Sequence, residues 1–184
     1  MVRAKCPTSL RKFGFCGILA IIYAARLPMP SSIPKLKTLL DSVKKVLCMK
    51  KGKWTRATPK HTGAISISDT ICLLHHYKSC NCTVLRTKHD DAPPTLRKWI
   101  KGVQANTCYI VHLRTHAFFV EVGSVKSKWR IYDQGGVHTK KDIDFMQRVG
   151  GYGGQQIRAI LEITYGMPQN SNDSNTHVTQ SETA

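Results

Sequence analysis

At residue 108 the apolar residues of this chain change period, and that change limits the fold more than any other feature. Upstream they recur every three or four positions, as on a helix face. Downstream come three short segments rich in Val, Ile, Tyr and Phe, residues 108–113, 117–122 and 129–132. Arg114-Thr115 and residues 123–128 separate them, short enough only for tight turns. The expectation is an antiparallel meander with helices packed on it, an α+β domain.

The helical half reads in order. Residues 13–25 are almost wholly apolar, with Cys16 between Gly14 and Gly17. Ser31-Ser32-Ile33-Pro34 offers a cap and a first-turn proline, and Leu36, Leu39, Leu40, Val43, Val46 and Leu47 follow at helical spacing. Residues 49–61 are basic without an apolar period and read as an exposed loop. Beyond Gly63, Ser68 or Asp69 is the expected cap of a helix burying Ile71, Leu74 and part of Tyr77. Residues 82–85 read as a strand, and Pro93-Pro94 opens a short helix over residues 95–102 with Leu96, Trp99 and Ile100 inward. A helix is expected over residues 140–149, a flexible break at the glycine-rich 150–154 and a last strand over 156–165. Residues 167–184 are Asn, Ser, Thr and Gln without apolar period and read as a disordered tail to a domain spanning 1–166.

Charge bears on partners. Lys plus Arg number 28 against 11 Asp plus Glu, a formal charge of +17, which favours encounter with polyanions. Lys50, Lys51, Lys53, Trp54 and Arg56 form the expected nucleic-acid or polyanion patch, with a solvated charged loop as the plainer alternative. Seven cysteines in irregular spacing, with no clear signal peptide ahead of them, suit a reducing, intracellular compartment. The apolar run at 13–27 is too short to span a bilayer comfortably and is broken by Gly14, Gly17 and Arg26, so no membrane association is expected.

Chemistry centres on a thiol. A cysteine opening a helix meets unpaired N–H groups and the positive end of the helix dipole, which favour its thiolate. A nucleophile of this kind needs a base, and the base needs an acceptor. His116 stands where residues 117–122 begin, and Asp133 follows Ile131-Tyr132. In a hairpin, the start of one strand lies beside the end of the next, so His116 and Asp133 are expected as neighbours, with Cys16 facing the other imidazole nitrogen. His112 is a rival base, but it lies inside the preceding strand without an acid at hairpin distance. Cys72, His75, His76, Cys80 and Cys82 carry zinc-binding chemistry in spacing unlike a standard finger; buried thiols and a solvent-facing histidine pair are the alternative.

Cys16-Gly17 ahead of an apolar helix, the middle helix from Gly63 to His75, Thr115-His116-Ala117-Phe118-Phe119-Val120, and Ile131-Tyr132-Asp133 before a glycine-rich turn together resemble the papain-like cysteine peptidases. Within that superfamily the order is most similar to the double-glycine leader peptidases that process bacteriocin precursors. The resemblance implies a papain-like fold, an N-terminal Cys-bearing helix and further helices on an antiparallel sheet. It also implies precursor processing through a Cys16, His116, Asp133 triad and an acyl-enzyme, without a cofactor. The family normally places a Gln a few residues before the nucleophile to hold the oxyanion, and residues 1–15 contain neither Gln nor Asn. Thr8, Ser9, Lys12 or the Cys16 backbone N–H are the substitutes. The basic charge would suit a viral or mobile-element enzyme working beside nucleic acid, in the host cell or a virion. Two other readings stand beside the peptidase: a catalytically inert basic nucleic-acid-binding domain and a zinc-stabilised interaction module.

Overall fold

The structure, a computed structural model, describes residues 5–13, 15–51, 65–78, 80–86, 93–114, 116–126, 128–141 and 151–165. Among the described residues four α-helices, α1 (Cys16–Ala24), α2 (Ile33–Lys51), α3 (Ile67–Tyr77) and α4 (Leu96–Trp99), accompany six strands: β1 (Asn81–Arg86), β2 (Cys108–His112), β3 (Ala117–Val122), β4 (Trp129–Asp133), β5 (Gly136–Thr139) and β6 (Ala159–Thr164). All strand pairings are antiparallel, and the order across the sheet is β1-β6-β2-β3-β4-β5. The fold is α+β. The expected meander is present as β2 to β4, β5 extends it by one strand, and the last strand returns to fill the gap between β1 and β2.

Alternation along the strands sorts side chains to two faces. Ile110, Phe119, Tyr132, Leu161 and Ile163 pack with α1, α2 and α3. Tyr109, Val111, Phe118, Val120, Ile131 and Ile160 pack on the other face with Leu96, Ile100 and Val103. Covering both faces is why these strands are nearly unbroken apolar runs. Every residue of α1 is buried, since it lies between the sheet and the other helices. A helix apolar on all sides needs such a position. No helix among the described residues is long and apolar enough to cross a membrane.

The far end of α1 is held firmly. Arg26 takes a left-handed φ of 54°, Arg26 N donates to Tyr23 O and Leu27 N donates to Ile22 O, a Schellman closure without the usual glycine. The Arg26 guanidinium lies 3.7 Å over the Tyr165 ring, and Tyr165 Oη donates to Ala24 O at 2.9 Å.

Several sequence expectations shift. The cap of α3 is Ser66, not Ser68 or Asp69: Ser66 Oγ accepts from Asp69 N, and the Asp69 carboxylate accepts from Ser66 N, a capping box that gives Asp69 the third position. That register buries Leu73 with Leu74, while Ile71 is half-buried. Helix α2 starts at Ile33, which puts Pro34 second, and it runs on through Lys51, so Met49 to Lys51 are helical rather than loop. Lys50 and Lys51 of the expected basic patch thus belong to this helix. Helix α4 is shorter than residues 95–102, with Thr95 as its cap accepting from Lys98 N. Residues 136–139 form a strand that the sequence reading lacked. Lys53, Trp54, Arg56, residues 142–149 of the expected helix and the tail 167–184 lie outside the described residues.

Candidate active site

Three elements meet at one end of the sheet. Cys16 is the first residue of α1, which packs mainly against β3. His116 immediately precedes β3, and Asp133 is the last residue of β4. With β3 and β4 antiparallel in the register Phe119 to Tyr132, the hairpin's open end carries both. His116 Nε2 is 3.4 Å from Asp133 Oδ2, close but poorly aligned as a hydrogen bond. Cys16 and His116 hydrogen-bond through their side chains. Cys16, a thiol and not half of a disulfide, is only 8% exposed.

Burial here works against charge, and the partners outweigh it. Burial raises the Cys16 thiol, but the hydrogen bond and charge of His116 and the backbone N–H groups of Ala117 and Gly17 bring it below its usual value. Burial lowers His116, yet Asp133 and Cys16 together lift it to about 9. Burial likewise raises Asp133, and the two histidines beside it pull the carboxyl well below the ordinary carboxylate range. The three groups favour each other's charged forms.

Two further residues complete the site. His138 Nε2 lies 2.9 Å from Asp133 Oδ1, which also accepts from Gly136 N at 3.0 Å. Asp133 therefore faces a histidine on each oxygen. A two-residue loop, Gln134-Gly135, joins β4 to β5 and pairs Ile131 with His138, placing His138 diagonally beside Asp133. A Cβ at Gly135 would lie 3.2 Å from Asp133 Oδ1, so a larger residue there would push the carboxylate by a few tenths of an ångström. The second residue is Tyr152, whose ring stacks on His116 at 4.5 Å between centroids and 8° between planes. Its segment is not the flexible break expected from its glycines: Tyr152–Gly154 is a 3-10 turn with Gly153 buried, followed by Gln155 O accepting from Leu96 N. The available signals were slight, a histidine five residues beyond the aspartate across a glycine-bearing turn and one aromatic ring between glycine pairs.

No known family model and no curated protein matches the chain.

The remaining candidates lie elsewhere. His112, last residue of β2, is 7% exposed with Nε2 3.4 Å from Thr70 Oγ1, and burial lowers it to about 4. Among the described residues no three His, Cys, Asp or Glu side chains gather into a metal-holding group, so Cys72, His75, His76, Cys80 and Cys82 do not form one. Ahead of Cys16, residues Thr8–Phe13 make a 3-10 turn with Leu10 fully buried and Thr8 and Ser9 exposed. Gln134 Nε2 donates to Arg11 O at 3.2 Å, tying that turn to the β4–β5 loop. Within α1, the first bond into the helix is Leu19 N to Phe15 O, which leaves the N–H groups of Cys16 and Gly17 ahead of the ladder.

Proposed function

We propose that the chain is a cysteine peptidase with a papain-like arrangement, Cys16 its nucleophile, His116 its general base and acid, and Asp133 the group that orients His116. The observation carrying this reading is the buried chain of contacts from Cys16 to His116 to Asp133, with the thiol lowered and the imidazole raised to about 9. At neutral pH such a pair rests as thiolate and imidazolium. Nε2 is turned to Asp133, which leaves Nδ1 for the thiol.

In this mechanism the Cys16 sulfur adds to the carbonyl carbon of the scissile peptide bond, and the oxyanion forms beside the Cys16 N–H at the start of α1. His116 gives its proton to the leaving amine as the C–N bond breaks, and a thioester remains on Cys16. Water then adds to the thioester while His116 takes its proton. Collapse expels the thiolate, which the imidazolium again holds. The substrate is a protein or peptide precursor. Cys16→Ala tests the assignment against a library of labelled peptides and a thiol-directed peptide electrophile. Loss of both cleavage and covalent labelling is expected; cleavage that persists, or labelling unchanged in rate and yield, overturns it.

A further inference from the structure

The other end of the same hairpin carries a second feature. A groove of about 840 Å³ opens where β3 ends and β4 begins, lined by Lys128, Arg130, Lys140 and Lys141, with the hydroxyl residues Ser124 and Thr139 between them. From Ala117 to Val122 a strand rises about 17 Å at 3.3 Å per residue, so the groove and the thiol site occupy opposite ends of the sheet. The antiparallel register explains the clustering: Arg130 pairs with Thr139, which brings Lys128 and the Lys140-Lys141 pair to adjacent strand ends. All four cationic residues are exposed. Glu121 is the carboxylate in the lining, and its Oε2 accepts from Tyr132 Oη at 2.8 Å.

The geometry points to a binding site for the phosphate backbone of double-stranded nucleic acid in this groove. Four cations with interspersed hydroxyls and one engaged carboxylate match a row of phosphates, which supply charge and acceptors without sequence information. Trp129 also lines the groove but is only 7% exposed, so it offers no ring on which an unpaired base could stack; that favours a duplex over a single strand. The apolar side chains of the lining, Val122 and Trp129, are buried, so the cations and hydroxyls are the groups a partner can reach. The site differs from the basic patch around Trp54, and it stands whether or not Cys16 is catalytic.

The test is fluorescence anisotropy of a labelled 20-base-pair DNA duplex of mixed sequence with the full chain, from 50 to 200 mM salt. A variant with Lys128→Ala, Lys140→Ala and Lys141→Ala is compared with one carrying Lys35→Ala, Lys37→Ala and Lys45→Ala on α2, which removes the same charge elsewhere. The groove variant should lower the slope of log K against log salt by about three, and the α2 variant by less than one. Matching circular dichroism and melting temperatures show that both variants fold. Equal losses from the two variants, undetectable duplex binding by the unmodified chain, or displacement of the duplex by polyglutamate at equal charge concentration would overturn the proposal, the last in favour of an acidic peptide.

Discussion

His112 and His116 are separated by three residues, and the sheet gives them opposite electrostatic fates. His112 ends β2 with a threonine hydroxyl for company, and burial drives it to about 4. His116 begins the approach to β3 between a thiol and a carboxylate, and despite comparable burial it rises to about 9. Depth decides His112, whereas at His116 the partners outweigh it. The pair also has opposite pH signatures. His116 contributes stability that is full below its unfolded value of 6.5 and disappears as pH rises through about 9. His112, kept neutral in the native state, costs stability as pH falls from 6.5 toward 4, because the unfolded chain takes the proton first.

The largest effect should come from taking away the partner. With Asp133→Asn, His116 loses the carboxylate that lifts it, and peptide-cleaving kcat/KM should fall about 10³-fold or more. The alkaline limb of the pH profile, expected near 9 in the unmodified protein, should move toward neutrality. An alkaline limb that stays in place would mean that Asp133 does not set the charge of His116.

A smaller effect is expected at the other histidine. Denaturant titrations at pH 7 and pH 4.5 should show the unmodified protein losing about 2 kcal/mol to His112 between those values, a loss that His112→Gln avoids. The same acid sensitivity in both proteins would assign it to other groups. Smallest of the three, His138→Ala should lower kcat/KM about tenfold, the worth of one charge-assisted hydrogen bond, and His138→Gln should recover part of it by keeping an amide donor toward Asp133. No change in either variant would leave His116 and the Gly136 N–H as the partners that matter to that carboxylate.

Much of the α+β layout was legible because period is a local property: β2, β3 and β4 fall within a residue of where the Val, Ile, Tyr and Phe runs place them, and α1 begins at Cys16. The meeting of His116 and Asp133 was legible too, since a short turn between strands fixes which ends adjoin. What escaped was set by distant contacts. Four residues of β5 are strand because β4 offers them an edge, and Gly-Val-His-Thr has little pattern of its own. Tyr152 sits among glycines whose freedom suggested a loop, and the rings of His116 and Phe118 together with the pairing to α4 give the segment its shape. The insertion of β6 between β1 and β2 is likewise a choice among sheet edges that no strand sequence announces.

That insertion ties the first helix to the end of the fold. Leu161 and Ile163 of β6 share the core with α1, and Tyr165, 141 residues past Ala24, holds the helix's last turn. During synthesis, the hairpins β2 to β5 can form from local contacts, but β1 must wait for β6, and the helix bearing Cys16 lacks its latch until residue 165 emerges. The order of the strands thus acts as a clock. A growing chain completes the hairpin bearing His116 and Asp133 before it can secure Cys16, so the three side chains come together only after nearly all of the described chain has left the ribosome.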